Sequence, residues 1–260
     1  MQLGKFVKFG KLALMTCLLL LQACSSGSGL TVRGDPERAL DNYVELGLNY
    51  LSEGNRDQAR LNLLRALEID SNSTIANNAI ALLYQVDGEF DLAETHFRKA
   101  LRQDRDFSQG RNNYARFLYM QGRFREARDQ YELASNDVNY RLRPDSFIGL
   151  AMTEKVLGNT DEAEAALLRA LTLNPRSGSA ALELTELKYD QSDYVTAKSY
   201  LDRFEATSPS SPRSLELGLQ LAEQFGDSEA YETYTMALKN MFPNSREARE
   251  LQLREQQEVD

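Results

Sequence analysis

Residues that usually carry catalysis or hold metals are scarce in this 260-residue chain. It has one histidine, two cysteines and no tryptophan. A zinc site or a Cys–His nucleophilic pair needs several such side chains in one place. There is also no glycine-rich phosphate loop and no G-x-S-x-G motif, and we interpret the many carboxylates as a solvated acidic face. We therefore predict a protein that is not an enzyme and needs no metal, cofactor or small-molecule substrate.

The single histidine, His96, lies between two positions that we assign to the core of a helix, Ala93 and Phe97. We predict that His96 itself lies on the exposed face of that helix.

Positive charge is also in short supply. Thirty Lys and Arg residues face 39 Asp and Glu residues, for a net charge of −9, and loss of Lys5, Lys8 and Lys11 would make it −12. Binding to nucleic acid through phosphates needs a basic surface. The excess of negative charge argues against nucleic acid as a partner and against electrostatic binding to anionic lipid.

The N-terminus has the three-part pattern of a secretory signal. Three lysines precede an apolar run over residues 12–21, which ends in the sequence Leu21-Gln22-Ala23-Cys24. A positive start, a short apolar stretch and a small residue before the cut are typical of a cleaved signal peptide. The run is shorter than the roughly 18 residues that a membrane span requires. We predict that residues 1–23 are removed.

Residues 21–24 resemble the lipobox of bacterial lipoproteins, with Leu21 and Ala23 at its leucine and small-residue positions. The resemblance implies that Cys24 becomes the new N-terminus and carries fatty acyl chains such as palmitate, several of which anchor a protein stably. An unmodified cysteine in a cleavable signal is the alternative. Ser25 stands where Asp resembles an inner-membrane retention signal, and this implies the periplasmic face of the outer membrane.

The mature chain has no disulfide, because Cys17 leaves with the signal and Cys24 is used by the lipid. Residues 25–34 are rich in Ser and Gly, which is typical of a flexible tether. We therefore divide the chain into a signal (1–23), a lipidated cysteine with its tether (24–34), a repeat region (35–244) and a C-terminal cap and tail (245–260).

Small residues recur every 34 positions through the repeat region. The clearest series are Gly54, Gly88 and Gly122; Ala59, Ala93 and Ala127; and Ala66, Ala100 and Ala134. A large apolar residue recurs between the two alanines of each repeat, at Leu63, Phe97, Tyr131, Leu167, Leu201 and Tyr234. Small side chains let neighbouring helices approach closely, and glycine permits the backbone conformation of a tight turn.

This pattern resembles the tetratricopeptide repeat, a helix–turn–helix of 34 residues. We predict an all-α, right-handed superhelical solenoid of six repeats with a C-terminal capping helix. The predicted repeats are 40–73, 74–107, 108–143, 144–177, 178–210 and 211–244. Repeat five departs from the pattern at Thr185, where a small residue is expected, and at Ser192, where glycine is expected.

The first helix of each repeat lines the inner wall of such a superhelix. The inward positions are Val44, Leu48, Leu51, Asn78, Leu82, Gln85, Val86, Asn112, Arg116, Tyr119, Met120, Ile148, Met152, Lys155 and Val156. This largely apolar wall suits an amphipathic helix or an extended apolar peptide. Asn78 and Asn112 occupy equivalent positions, and we expect them either to bond a partner's backbone, to pack between helices or to be solvated.

The lipobox, the tether and the six repeats together resemble the PilF/PilW family of type IV pilus biogenesis lipoproteins. The segments Tyr43–Leu51, Asn112–Ala115 and Gly122–Phe124 are similar to that family's. The resemblance implies a pilotin, which binds the secretin subunit of the pilus machine and promotes its localisation and assembly in the outer membrane. The alternative is a periplasmic scaffold for peptidoglycan hydrolases or outer-membrane assembly factors.

Overall fold

A computed structural model of the chain describes residues 35–259, and within this range it contains helices but no strand. The predicted signal peptide, Cys24 and the tether lie outside the described residues. The helices are α1 (Pro36–Ser52), α2 (Arg56–Ile69), α3 (Thr74–Asp87), α4 (Phe90–Gln103), α5 (Ser108–Met120), α6 (Phe124–Asn136), α7 (Arg143–Leu157), α8 (Thr160–Leu173), α9 (Gly178–Asp190), α10 (Tyr194–Glu205), α11 (Pro212–Phe225), α12 (Ser228–Met241) and α13 (Arg246–Val259).

The first twelve helices form six hairpins in chain order, one for each predicted repeat, and α13 follows them. In each hairpin we call the first helix A and the second helix B. From α3 onward each helix packs against the next, and each A helix also packs against the A helix of the following hairpin. The packed unit begins at Leu40. None of the described helices is long and apolar enough to cross a membrane.

Small residues allow close approach of helices within and between the hairpins. The alanines of the B helices, such as Ala59, Ala93 and Ala127, are fully buried. A Cβ atom on Gly149 in α7 would lie 2.4 Å from the ring of Tyr131 in α6, a distance that real Cβ atoms do not tolerate. A larger residue at this position would force the Tyr131 ring to move.

The turns between A and B helices use left-handed backbone. Gly88, at the end of α3, has φ 80°, and its counterparts in four other hairpins are also glycines with positive φ. In repeat five Ser192 takes this place with φ 61°. The turn geometry thus persists where the sequence departs from the pattern, although non-glycine residues adopt this conformation at a cost.

The C-terminal helix closes the array as predicted. Ser245 caps α13, because its hydroxyl oxygen accepts a hydrogen bond from the Ala248 backbone N–H at 3.0 Å. Ala248 and Leu251 are buried against Leu215 and Leu238 of the sixth hairpin. A solenoid needs such an end piece because its last repeat would otherwise expose an apolar face.

Candidate protein-binding groove

The A helices α3, α5 and α7 present a row of exposed apolar side chains. We call Val86, Met120, Met152 and Val156 the groove wall; their exposed fractions are 49, 63, 37 and 48%. Met152 and Val156 are four residues apart, so they lie on the same face of α7. Successive A helices are in contact, which makes the wall continuous from the second repeat to the fourth.

The predicted groove residues fall into three groups by burial. Val86, Arg116, Met120 and Met152 are exposed. Half-buried positions are Leu48, Leu51, Leu82, Asn112, Tyr119 and Ile148. Val44 and Asn78 are buried. Leu48, Leu51, Leu82 and Ile148 also pack against core clusters. The open apolar surface therefore comes mainly from the last turns of α3, α5 and α7.

Placing Val44 on an open wall was wrong. Val44 is 7% exposed and belongs to the core cluster that contains Ala59, Leu63 and Ile80. The reason is that α1 packs against side chains of both α2 and α3, so the face of α1 that carries Val44 is covered.

The two predicted amides bond neighbouring A helices rather than open solvent. Asn113 donates from Nδ2 to Oδ1 of Asn78 at 3.2 Å, and both residues are buried. Ser146 donates from Oγ to Oδ1 of Asn112 at 2.9 Å. Each bond joins one A helix to the next, so this pair of positions serves helix packing, which was one of the predicted roles.

A further contact joins α3 to α5 at the groove. Gln85 donates from Nε2 to the sulfur of Met120 at 3.2 Å. Its Oε1 atom is buried and has no hydrogen-bond partner among the described residues. The contact holds the Met120 side chain beside α3, with most of its surface still open.

Beyond Met152 the groove becomes charged. A depression of about 420 Å³ has an apolar lining from Tyr119, Met152 and Val156 and a charged lining from Lys155, Glu183, Glu186 and Arg213. Lys155 Nζ lies 2.9 Å from Glu186, and Arg213 Nη1 lies 2.6 Å from Glu183. Arg213 also pairs with Glu186. These carboxylates and cations already neutralise one another in the free protein.

Burial raises the pKa of Glu186, but Lys155 and Arg213 outweigh that effect and leave the pKa below its usual value. Sequence reasoning missed this cluster, because the inward positions were projected only for repeats one to four. The spacing of Glu183 and Glu186, three residues apart on one helix face, was the available signal.

The prediction for His96 was wrong. His96 is half-buried, its Nδ1 atom lies 2.9 Å from Oδ1 of Asn77, and its ring centroid lies 5.5 Å from that of Tyr84. The histidine faces helix A of its own hairpin, since it adjoins Phe97 on the packed side of α4. Burial and the nearby Lys99 lower its pKa. Among the residues described, no group of three metal-binding side chains could hold an ion.

Comparisons with known proteins agree with this architecture. Models of the tetratricopeptide repeat match residues 40–73, 78–137 and 148–212. Together these ranges cover more than half of the chain, so it belongs to the tetratricopeptide-repeat proteins, which bind protein partners. The predicted fold class is thereby confirmed.

A narrower relationship follows from individual relatives. The chain is 38% identical over 216 residues to the type IV pilus assembly protein PilF of Pseudomonas aeruginosa, covering 83% of this chain and 86% of PilF. The solved structure of that PilF has a TM-score of 0.77, with 37% identity and coverage of 84 and 99%. The structure of PilW, a widely conserved type IV pilus biogenesis factor, has a TM-score of 0.74, with 25% identity and coverage of 82 and 97%. The chain belongs to the PilF/PilW family of type IV pilus biogenesis proteins.

Proposed function

We propose that this protein is a pilotin: a lipoprotein that binds the type IV pilus secretin subunit and promotes its localisation and multimer assembly in the outer membrane. It would thereby support pilus biogenesis and twitching motility. The observation that carries the proposal is the exposed groove wall in a chain of the PilF/PilW family. Acylation of Cys24 at the periplasmic face of the outer membrane belongs to the same proposal.

The groove wall supplies the physical basis for binding. Four exposed apolar side chains in a row favour the apolar face of an amphipathic helix or an extended apolar segment. Burial of apolar surface contributes about 25 cal/mol per Å². Methionine adapts its shape to irregular partners, which suits Met120 and Met152 to a segment of variable sequence.

The lipid and the groove have separate tasks in this scheme. Acyl chains on Cys24 hold the protein at one membrane, and the tether over residues 25–34 lets the repeat array reorient there. The groove then retains the secretin subunit close to that membrane. A Cys24→Ala variant would keep partner binding but lose delivery to the outer membrane.

The test is a co-purification of the secretin with the full-length protein from detergent-solubilised outer membrane. We expect the double variant Met120→Glu/Met152→Glu to lose the secretin, because two carboxylates would be buried without partners. Both side chains are exposed in the free protein, so helix content and unfolding midpoint should not change. Leu82 is less suitable for this purpose, since it packs against the core.

The matched control is Val195→Glu/Met236→Glu, which adds the same charge at apolar positions that are 73 and 58% exposed on B helices. The control should retain the secretin. Capture of the secretin by the groove variant would overturn the assignment of the groove. If peptidoglycan hydrolases or outer-membrane assembly factors were recovered in place of the secretin, the protein would be a periplasmic scaffold and not a pilotin.

A further inference from the structure

Charge is distributed unevenly along this acidic chain. Between residues 98 and 143 there are eleven basic residues and six acidic ones, although the whole chain has a net charge of −9. The basic residues are Arg98, Lys99, Arg102, Arg105, Arg111, Arg116, Arg123, Arg125, Arg128, Arg141 and Arg143. The third repeat and its flanks thus form a positive zone, which the overall composition conceals.

Most of these cations have no carboxylate partner. Within residues 35–257 only Arg98, Arg123 and Arg128 form ion pairs. The other eight remain positive surface charges. A surface with this density of unpaired arginines attracts negatively charged groups.

Four of the arginines converge on one cleft between α4, α5 and α6. We call it the arginine cleft; it has a volume of about 480 Å³ and is lined by Arg98, Arg102, Arg105, Arg111, Leu101 and Tyr114. Glu126 also borders the cleft, but its carboxylate is paired with Arg123 at 2.7 Å. Arg98 is paired with Glu94 at 2.8 Å, so three of the four arginines lack a carboxylate partner among the described residues, and they lie beside Leu101 and Tyr114.

The guanidinium groups of the cleft are partly fixed in place. Arg111 donates from Nε to the backbone carbonyl of Arg105 at 2.9 Å and from Nη1 to Oε1 of Gln130 at 3.0 Å. Arg98 donates from Nε to the Tyr114 hydroxyl at 3.1 Å. Groups that are held before binding lose less conformational entropy when a ligand arrives.

The cleft is separate from the groove. Arg111 and Tyr114 point from a different side of α5 than Tyr119 and Met120, since residues on one face of a helix recur every three or four positions. A ligand in the cleft would leave the groove wall accessible. The protein thus has two surfaces of contrasting chemistry, one apolar on the A helices and one basic where α4, α5 and α6 meet.

We propose that the arginine cleft binds an acidic segment of a partner protein, with its carboxylates on the guanidinium groups and an apolar side chain against Leu101. Arginine matches the planar carboxylate with two parallel hydrogen bonds. Leu101 lies among the arginines, which suits a segment that carries an apolar residue between its carboxylates. The apolar lining also favours a peptide over a free phosphate group.

The test measures binding of a fluorescent peptide of repeated Glu-Glu-Leu, with a Gln-Gln-Leu peptide as the uncharged counterpart. All proteins are full-length and carry Cys24→Ala, so that no acyl chain contributes. We expect the glutamate peptide to bind more tightly than the glutamine peptide, and less tightly as salt rises to physiological strength. The variant Arg102→Glu/Arg105→Glu should weaken binding by about ten-fold or more. Both arginines are exposed and outside any ion pair of the described residues, so folding should be unaffected.

The control variant Arg176→Glu/Arg249→Glu makes the same change in net charge at two exposed arginines outside the cleft. It should bind the glutamate peptide within about two-fold of the parent protein, because screened distant charges contribute little. An equal loss of peptide binding in both variants would show that only the net charge matters, and it would overturn the proposal.

Two further outcomes would assign the cleft to another occupant and overturn the proposal. One is cleft-dependent binding to phosphatidylglycerol vesicles without binding of the glutamate peptide, which would indicate an anionic lipid. The other is self-association of the parent protein that Arg102→Glu/Arg105→Glu abolishes, which would indicate a second copy of this chain. Equally tight binding of the glutamate and glutamine peptides would also contradict the proposal.

Discussion

The two halves of the groove are built in contrasting ways. From the second repeat to the fourth, the wall consists of apolar side chains such as Val86 and Met120, which have large exposed fractions. From the fourth repeat to the sixth, the wall carries Glu183, Glu186 and Arg213, which already form ion pairs. An apolar side chain gains free energy when a partner covers it, whereas a paired charge must first be desolvated.

We call the apolar part of the groove, over repeats two to four, the binding half. The charged part, over repeats four to six, is the bracing half. The ion pairs join α7, α9 and α11, which are the A helices of three consecutive repeats. They hold these helices together at the groove surface, in the region where the repeat pattern is weakest. The charged half therefore contributes mainly to stability, and the apolar half is free to contribute to binding.

The largest expected effect on stability comes from Arg213→Met. The substitution leaves Glu183 and Glu186 adjacent without their shared cation. We expect the free energy of unfolding to fall by about 1–2 kcal/mol, less than for a fully buried pair because the Arg213 side chain is 38% exposed. Chemical denaturation measures the change. An unchanged midpoint would show that the ion pairs do not brace the array.

The second expected effect is a dependence on pH that distinguishes the halves. The pKa of Glu186 in the folded protein lies below its usual value, since the cations outweigh burial. Its stabilisation is complete above the unfolded pKa and is lost as the pH falls through the folded pKa. The stability difference between the parent and Glu186→Gln should therefore shrink in acid. If the stability difference between the two proteins grew below about pH 4, that result would contradict a lowered pKa for Glu186.

The smallest expected effect on stability is in the apolar half. Val86→Ala removes an exposed side chain, so the free energy of unfolding should stay within about 0.5 kcal/mol of the parent value. Capture of the secretin should nevertheless weaken, if the groove wall is the binding half. A substitution that destabilises the fold while leaving capture intact would reverse the two assignments.

The sequence predicted the helices better than the surfaces. A period of 34 placed Gly88, Ala93 and Ala100 correctly, because small residues at fixed spacing report close helix packing. It also predicted the exposed positions of Val86 and Met120. Bonds between helices were harder to foresee: the contacts of Asn78 with Asn113 and of His96 with Asn77 depend on side-chain direction as well as spacing.

The charged features were missed for a different reason. Net charge averages over the chain, so a value of −9 concealed both the arginine cleft and the ion pairs around Arg213. In repeat five, Thr185 and Ser192 interrupt the pattern of small residues, which made the register of that repeat harder to read. A count of charges within each repeat reveals the positive zone from the sequence alone, whereas the pairing of individual charges depends on how the helices pack.

The polar bonds between A helices give the array a graded stiffness. Neutral hydrogen bonds link α3 to α5, from Asn113 to Asn78 and from Gln85 to Met120, and α5 to α7, from Ser146 to Asn112. Arg213 instead reaches two carboxylates on α9. In a repeat array each repeat contacts only its neighbours. The array therefore bends most easily where the bonds between neighbouring repeats are weakest. Opening the groove to fit a bulky segment would therefore cost least at the apolar end, where the proposed ligand binds.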